Sequence, residues 1–472
     1  MTWQILSTNP EATAKEEEEL KYVIIGNSAA AAGAIESIRK EDDQGTVTVI
    51  SNEKEHIYSR PLIAHYLAGE VEEDRMPYRP LDFYEKNKVE TLLGVEATKL
   101  DSDSKIIYTS QGEVAYDRLL LTTGSKATVP PVEGMDLEGV STFQTFEQAQ
   151  AIKSKLTPGV KAVVIGAGLI GMRAAYGLFE AGADVTIVEL LPRILSRVLD
   201  ETGSGMTEKV MEQGGLKIKT GRKVEKLSGA GKLEKVILDG GEELPAEIAI
   251  IATGVAPDLE LAKNTGIKTN KGIMVNEYFQ TNYSDIYAAG DVAETYDIPR
   301  DKSMVNANWP NAHEQGRYAG TCMTGKMVPY PGSIGMNSVS FFGVPVISLG
   351  LFDPEAENEK AETKAKLIPE HNIYTKLVFQ DNRLKGAVFI GDLHHCGAVK
   401  DLIKDQMLVG VIKDTIIEEK FQLYNFLRKK RQEKVEGIEI SWPESHTLNQ
   451  RYVKNFNEES WTEREKDKRT WK

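Results

Sequence analysis

The hydrophobic pattern of the chain repeats one plan twice: an apolar strand ends in a glycine turn and leads into a helix. The first copy opens with YVIIGNSAAAAGAIESIRK (22–40) and closes with the buried strand LLLTTGS (119–125). The second opens with AVVIGAGLIGMRAAYGLFEAG (162–182) and closes with AIIATGV (249–255). Strand, glycine turn, helix and strand form the parallel βαβ unit, which receives a pyrophosphate at its helix N-terminus. The pattern therefore predicts an α/β chain with two Rossmann-like dinucleotide-binding domains.

The second copy matches the dinucleotide fingerprint most closely. Gly166, Gly168 and Gly171 fit G-x-G-x-x-G, in which glycines allow a tight turn, contact between diphosphate and backbone, and close helix–strand packing. Glu189 ends the next strand, about 20 residues further on, where a carboxylate binds the adenosine ribose. Its charge would repel a 2′-phosphate, so NADH is expected rather than NADPH. The predicted NAD-binding residues are Gly166, Gly168, Leu169, Ile170, Gly171, Glu189 and Gly254.

The first copy is looser. Gly26 is present, but Ser28 and Ala31 occupy the positions of the second and third glycines. Both side chains are small, so close approach of a ligand to the backbone stays feasible. At the end of the next strand Asn52 stands where the ribose partner is expected and Glu53 follows it. Either side chain can form a hydrogen bond with a ribose, and we favour Glu53.

A third element points to the ligand of the first copy. The segment TNYSDIYAAGDVAE (281–294) is an apolar strand that ends in Gly290 and Asp291. It resembles the second FAD fingerprint of the two-dinucleotide flavoproteins, the pyridine-nucleotide-disulfide reductase-like superfamily. In that superfamily the aspartate binds the ribityl chain and the next backbone N–H meets a phosphate. The resemblance, which covers about residues 20–410, assigns these roles to Asp291 and Val292.

The resemblance also implies the order of the domains. An acidic lead (1–20) precedes an FAD-binding domain (21–145 and 275–330) that is interrupted by an NAD-binding domain (146–274). Then follow a small α/β interface domain (331–420) and a C-terminal extension (421–472). The interface domain usually pairs subunits in that superfamily, so the resemblance implies an oligomer. The implied FAD-binding residues are Gly26, Asn27, Ser28, Ala29, Ala30, Asn52, Glu53, Arg60, Pro61, Ala97, Thr123, Gly124, Asp291 and Val292.

Within the superfamily the chain most resembles the NADH-dependent branch with rubredoxin reductases, ferredoxin reductases and the N-terminal part of the large nitrite reductase subunit. The segments YSRPLI, FQDNRLKGAVFIGD and SIGMNSVSFFGVPVISLG carry this resemblance. Relatives that reduce disulfides, peroxide or oxygen keep a redox cysteine on the first long helix, where this chain has Leu62. Electrons that cannot be held on sulfur must leave the protein. Because flavins can pass electrons singly, the expected acceptor is an iron–sulfur carrier protein or subunit, and the chain is expected to be an NADH-dependent FAD oxidoreductase.

Two positions depart from the family pattern and are the candidate catalytic residues. Relatives often have a lysine near flavin N5, and the comparable residue here is His65. Many relatives have a glutamate two residues after the third glycine, next to the nicotinamide, and here Arg173 stands there. His65 could donate a hydrogen bond to the flavin, and Arg173 could neutralise the reduced flavin or bind a phosphate. The alternative is a structural role for both side chains.

Composition excludes several other classes of function. The 472 residues carry a net charge of −14, which argues against sequence-independent binding of nucleic acids. The two cysteines, Cys322 and Cys396, cannot build a disulfide framework or a structural zinc site, so no metal site is predicted. No apolar run reaches the length of a membrane helix and the N-terminus lacks a signal-peptide pattern, so a cytoplasmic location is expected.

The C-terminal extension and two rival functions stay open. Phe421, Tyr424 and Leu427 have helical spacing, and three tryptophans follow in a polar setting. This extension can contact a partner or another subunit, such as a metalloenzyme complex that uses the chain as its flavin subunit, or it can lie across its own protein or be disordered. The rival functions are an NADH oxidase or diaphorase that reduces oxygen or quinone-like acceptors, and a flavoprotein scaffold with low turnover.

Overall fold

The first apolar strand becomes the centre of a parallel sheet in the computed structural model, which describes residues 19–418 together with Leu423 and Phe426. The strands of this part are β1 (Lys21–Ile25), β2 (Thr46–Ser51), β3 (Val89–Leu93), β4 (Ala97–Asp101), β5 (Ile106–Thr109), β6 (Gly112–Ala115), β7 (Arg118–Leu121) and β8 (Ser125–Ala127). The helices are α1 (Ala29–Glu41), α2 (Ile63–Leu67) and α3 (Phe83–Lys86). β1 lies between β2 and β7, and all three strands are parallel, as the βαβ pattern predicts.

The second glycine unit forms a second parallel sheet, in the order β12-β11-β10-β16-β9. Its part of the chain contains, in order, β9 (Val140–Thr142), α4 (Phe146–Lys153), β10 (Lys161–Ile165), α5 (Leu169–Glu180), β11 (Asp184–Val188), α6 (Glu201–Gln213), β12 (Lys217–Lys219), β13 (Val224–Ser228), β14 (Lys235–Leu238), β15 (Glu243–Pro245), β16 (Ile248–Ile251) and β17 (Val255–Pro257). Strand β9, which lies before the predicted boundary at residue 146, pairs with β16 in this sheet.

The chain then returns to the first sheet. The elements are β18 (Ile273–Met274), β19 (Ile286–Ala288), β20 (Ala293–Asp297), β21 (Lys302–Met304) and α7 (Trp309–Met323). β19 pairs in parallel with β7, which completes the order β19-β7-β1-β2-β3. The antiparallel pair β8 and β17 lies where the chain leaves and re-enters this domain. The first domain is therefore interrupted by the second, as the fingerprint at 281–294 implies.

Small residues let α7 pack directly on α1. A Cβ atom added to Gly316 would lie 2.0 Å from the carbonyl oxygen of Ala30, and one added to Gly320 would lie 2.5 Å from that of Ala34. No side chain fits in such a gap, so the two helices touch through their backbones. This contact fixes the N-terminus of α7 beside the N-terminus of α1.

The last described domain is an antiparallel sheet in the order β22-β23-β26-β25-β24. Its elements are β22 (Met336–Phe341), β23 (Val344–Gly350), β24 (Glu362–Ile368), β25 (Ile373–Gln380), β26 (Arg383–Ile390) and α8 (Cys396–Lys404). Leu423 is fully buried in the core beneath α8, and Phe426 packs against the same core. The helical pattern at Phe421, Tyr424 and Leu427 lies outside the described residues. Within the described part of the chain no helix is long and apolar enough to cross a membrane.

Candidate functional site

A cleft of ≈ 1530 Å³ opens at the carboxyl ends of β1 and β10, where both glycine turns face it. Drug-sized ligands occupy pockets of roughly 300–1,000 Å³, so this cleft exceeds the needs of one small molecule. In α/β folds, ligands bind beyond the carboxyl ends of the strands. The position and size of the cleft fit two dinucleotides that meet between the two sheets.

The first turn is shaped for close approach of a ligand to the backbone. Gly26 has a φ of +113°, and a Cβ atom there would lie 2.2 Å from the carbonyl oxygen of Thr122. Ser28 then adopts an extended conformation, and α1 begins at Ala29 without a side-chain cap. Residues 26–30 all line the cleft. The uncapped amide groups at this helix start can bind a phosphate, which fits the predicted FAD site.

At the end of β2, the two predicted ribose-binding side chains have different surroundings. Asn52 and Glu53 both line the cleft. The Glu53 carboxylate accepts a hydrogen bond from the Tyr58 hydroxyl at 2.6 Å and forms an ion pair with Arg60. Arg60 also donates to the carbonyl oxygen of Gln144 at 2.8 Å. The Glu53 carboxylate is therefore already bound by two protein side chains. The amide of the neighbouring Asn52 is neutral, so it does not require a positively charged partner.

The Gly-Asp strand reaches the cleft through its aspartate. Gly290 donates its N–H to the side chain of Gln315 at 2.8 Å, which orients the turn. Asp291 lines the cleft next to Arg60. Burial raises the pKa of the Asp291 carboxyl, and the positive charge of Arg60 acts in the opposite direction. A carboxylate in this position can accept hydrogen bonds from hydroxyl groups of a ligand. Val292 is fully buried behind it and does not line the cleft.

The second turn presents its backbone and one carboxylate to the cleft. Gly166 has a φ of +106°, and a Cβ atom there would lie 2.3 Å from the carbonyl oxygen of Ala252. Gly168 has no heavy atom within 4 Å of the added Cβ, so it faces open space. The Glu189 carboxylate accepts hydrogen bonds from the N–H groups of Ala167 at 2.6 Å and Leu191 at 2.8 Å. These bonds hold Glu189 beside the glycine turn.

The cleft collects most of the sequence-predicted cofactor residues. Two of the predicted residues, Val292 and Gly171, do not line the cleft. A Cβ atom added to Gly171 would lie 1.9 Å from the Gly166 carbonyl oxygen, so this glycine serves the packing of the helix. The predicted residues that line the cleft are Gly26, Asn27, Ser28, Ala29, Ala30, Asn52, Glu53, Arg60, Pro61, Ala97, Thr123, Gly124, Gly166, Gly168, Leu169, Ile170, Glu189, Gly254 and Asp291.

The two candidate catalytic residues lie elsewhere. His65 and Arg173 do not line the cleft. Arg173 donates to Nε2 of His65 at 2.5 Å, and Nδ1 of His65 lies 2.5 Å from a carboxylate oxygen of Glu70. Burial lowers the pKa of Arg173, while the charge of Glu70 raises it.

Several polar residues of the cleft wall were missed by the sequence analysis. Asn306 and Arg300 come from the returning segment, and Asn337 and Ser348 come from the last domain. Arg300 is almost completely buried and binds both carboxylate oxygens of Glu357 at 2.6 Å. These residues stand at no fixed spacing in the chain. Only the tertiary fold brings them together, so no sequence signal could have identified them.

The asparagine at the start of α7 also lies in the wall. Asn308 caps the helix by accepting a hydrogen bond from the N–H of Asn311 at 2.9 Å. Asn308, Trp309 and Ala312 line the cleft. The positive end of the α7 dipole therefore faces the ligand space. Among the described residues, no group of three or more histidine, cysteine or acidic side chains could hold a metal ion.

Comparison with known proteins identifies both parts of the fold. The family model described as pyridine nucleotide-disulphide oxidoreductase matches residues 20–316. A second model, described as the rubredoxin NAD+ reductase C-terminal domain, matches residues 336–407. In solved structures, the chain resembles the covalent putidaredoxin reductase–putidaredoxin complex with a TM-score of 0.81 and 24% identity, over 87% of this chain and 99% of the other. At that identity the structural likeness concerns the fold.

Three curated relatives are similar over most of this chain. The NADH-dependent phenylglyoxylate dehydrogenase subunit epsilon of Aromatoleum evansii is 32% identical, over 82% of this chain and 92% of the relative. The NADH oxidase of Methanocaldococcus jannaschii is 32% identical, over 85% of this chain and 93% of the relative. The assimilatory nitrate reductase electron transfer subunit of Bacillus subtilis is 31% identical, over 84% of this chain but 51% of the relative, so this chain spans about half of its length.

Proposed function

Because the chain belongs to the pyridine nucleotide-disulphide oxidoreductase family and is an NAD(H)-dependent FAD oxidoreductase, we propose that it exchanges electrons between NAD(H) and an iron–sulfur protein. FAD bound in the first site would take up electrons as a pair and release them singly. The chain itself would supply the two binding turns and hold both cofactors in one cleft.

One observation carries this proposal: neither cysteine of the chain lines the cleft. Cys322 is fully buried in α7, where its thiol donates to the carbonyl oxygen of Val328, and burial raises its pKa. Cys396 lies at the start of α8 in the last domain. The chain has Leu62 at the position where the family resemblance implies a redox cysteine. Electrons therefore have no sulfur beside the flavin on which to stay, and an external acceptor must receive them.

We propose the following holders for the two cofactors. The turn at Gly26 and the start of α1 would bind the FAD phosphates, and Asp291 would bind the ribityl chain. Since Glu53 is engaged by Arg60, Asn52 shares the adenosine ribose with it. The turn at Gly166 and Gly168 would bind the NAD diphosphate. The other residues that we propose to contact the cofactors are Pro61, Ala97, Thr123, Gly124, Leu169, Ile170, Glu189 and Gly254.

The test is an anaerobic titration of the protein with NADH, followed by the absorbance of the flavin. We expect stoichiometric bleaching, reversed when an oxidised rubredoxin or ferredoxin is added. If the flavin is bleached but neither carrier restores the colour, the acceptor belongs to another class. If NADH binds and the flavin stays oxidised, the scaffold function is favoured and the proposed route falls.

The similarity to the NADH oxidase of M. jannaschii favours a rival function, in which the chain reduces oxygen or quinone-like acceptors. This relative is as similar to the chain as any other described above. The rival is tested by aeration of the NADH-reduced protein without a carrier. Rapid reoxidation with formation of peroxide, at a rate comparable to reoxidation by the carrier, would favour oxygen or quinone-like acceptors. We expect slow reoxidation by oxygen.

We further propose that the chain works within a larger assembly as its flavin subunit. The relative from A. evansii is itself a subunit of a dehydrogenase and is matched over nearly its whole length. The domain at 331–420 would contact another subunit, and the extension at 421–472 would contact the redox partner. Light scattering of the purified chain gives the oligomeric state, and a monomer at all concentrations contradicts the proposed role of the domain at 331–420.

A further inference from the structure

The FAD and NAD domains touch through two helices, α2 and α5. A Cβ atom added to Gly177 would lie 2.7 Å from the carbonyl oxygen of Ala64, so the helices meet without a side chain between them. α2 follows directly after Arg60 and Pro61, which line the cleft, and α5 begins at the glycine turn of the NAD site. A shift of α2 against α5 would therefore change how the two cofactor sites face each other.

Three side chains link these helices across the domain boundary. Arg173 on α5 donates to Nε2 of His65 on α2 at 2.5 Å, and Nδ1 of His65 lies 2.5 Å from Glu70. The other terminal nitrogen of Arg173, Nη1, donates to the carbonyl oxygen of Ser340 in β22 at 3.4 Å. The chain of contacts from Glu70 to Ser340 thus joins all three domains.

Hydrogen-bond chemistry fixes the protonation of His65 in this arrangement. A guanidinium group has donors and no acceptor, so Nε2 of His65 must accept and cannot carry a proton. Nδ1 then carries the proton and donates to Glu70. The contact with Arg173 exists only while the imidazole is neutral. A second proton would place an N–H and a positive charge against the Arg173 guanidinium.

The surrounding groups do not offset that repulsion on the Nε2 side. On α5, Arg173 faces His65, and Tyr176 is bonded to Glu180. α4 contributes Lys153, whose ammonium lies 3.8 Å from the ring centre of Tyr66. β22 contributes a backbone carbonyl. Glu70 attracts a protonated imidazole but holds it on the Nδ1 side, away from Arg173.

We propose that Glu70, His65 and Arg173 form a pH-dependent interdomain latch, in which they are positioning residues that hold α2 against α5. The latch is closed while His65 is neutral and opens when it gains a proton. Histidine is the side chain whose charge changes between about pH 5 and 8. This inference deepens the proposed function and rests on it where it concerns NADH, but the latch itself can be observed without cofactor turnover.

The first test is hydrogen–deuterium exchange of the full FAD-loaded chain, compared at equal pH between wild type and His65→Gln. A glutamine amide offers one acceptor to Arg173 and one donor to Glu70, as neutral histidine does, but it takes up no proton. At pH 8 we expect equal exchange in residues 63–70. At pH 5.5 we expect severalfold faster exchange in the wild type, because the side chains of His65 and Glu70 are 36% and 44% exposed and solvent weakens their interaction.

Two further variants make the result specific. Arg173→Met removes the donor and should exchange as fast at pH 8 as the wild type does at pH 5.5. His371→Gln changes an exposed histidine of the last domain, and its exchange rate should equal that of the wild type at both pH 8 and pH 5.5. Equal exchange of wild type and His65→Gln at pH 5.5 overturns the latch.

The second test is the anaerobic rate of flavin reduction by NADH as a function of pH. We expect the ratio of the wild-type rate to the His65→Gln rate to fall severalfold from pH 8 to pH 5.5, together with weaker binding of NAD+ by calorimetry. If NADH reduces the flavin and this ratio stays constant, the proposed function stands, and the inference that the latch controls how the two cofactor sites face each other falls. If the exchange difference is found but NADH reduces neither protein, the latch stands and the proposed function falls.

Discussion

Gly166 and Gly168 lie two residues apart in one turn, yet an added methyl group would meet different surroundings at the two positions. At Gly166 it would collide with the Ala252 carbonyl and require a φ of +106°, whereas Gly168 has a φ of −75° and faces open space. We therefore expect Gly166→Ala to lower the free energy of unfolding by about 2 kcal/mol and to abolish NADH binding.

Gly168→Ala should separate folding from binding. Its methyl group would occupy the space proposed for the diphosphate, so the Kd for NADH should rise about tenfold while stability changes by less than about 0.5 kcal/mol. Denaturant unfolding and NADH titration measure the two effects. An unchanged Kd in Gly168→Ala would show that the diphosphate does not lie over this turn.

We expect the preference for NADH to depend on Glu189. Its carboxylate is held by two backbone N–H groups beside the turn and lines the cleft. We expect Glu189→Ala to lower kcat/KM for NADH about tenfold through loss of charge-assisted hydrogen bonds, and to affect NADPH much less. Steady-state kinetics with both nucleotides measure this. Glu225 carries an exposed carboxylate in the same domain, so Glu225→Ala serves as the control. It should leave kcat/KM unchanged for both NADH and NADPH.

At the level of elements, a buried ionic cluster joins the NAD domain to the last domain. Asp200 caps α6 by accepting a hydrogen bond from the N–H of Gly203, and it also accepts from the Tyr374 hydroxyl at 2.6 Å and the Lys376 ammonium at 2.8 Å. The side chains of Asp200 and Lys376 are only 10% and 12% exposed. Asp200→Ala would leave the ammonium buried without its partner, so we expect a loss of about 3 kcal/mol of stability.

An exposed cluster of three charged side chains provides the control for this prediction. Asp184 contacts Lys161 and Lys217, but the three side chains are 27%, 49% and 60% exposed. Asp184→Ala should cost less than about 1 kcal/mol. The double variant Asp200→Ala with Lys376→Met should recover part of the loss, because it removes the unpaired charge. Denaturant unfolding is the measurement, and equal losses for the two aspartates would contradict the role of burial.

The same elements show what the sequence could predict. The parallel sheets follow from apolar strands and glycine turns, because these patterns depend on neighbours in the chain. The pairing of β9 with the second sheet could not be predicted from the sequence, because this strand is three residues long and joins its sheet only through the distant β16. Arg300 and Asn337 in the cleft wall, and the contact of His65 with Arg173, likewise depend on which elements tertiary packing places side by side.

At the level of the whole molecule, the two cofactor sites lie within residues 19–418, whereas the chain continues to residue 472. If the extension serves the partner and not the chemistry, removal of residues 429–472 should leave the rate of flavin reduction by NADH unchanged. The chain then still contains Leu423 and Phe426, which pack against the last domain. Reduction of the iron–sulfur carrier or assembly with the other subunits should fall about tenfold, the effect of losing 1.4 kcal/mol of binding.

A chain that ends at residue 418 is the matched control, since it also loses the buried side chain of Leu423. Burial of one leucine contributes about 1.5–3 kcal/mol, so this shorter chain should be less stable while the chain ending at 428 is not. Stopped-flow reduction by NADH, steady-state carrier reduction and thermal unfolding separate the three effects. If the chain ending at 428 reduces the carrier as fast as the full chain, the partner must bind on the body of the protein. The cleft wall at the start of α7, where Trp309 lies, is then the surface to test next.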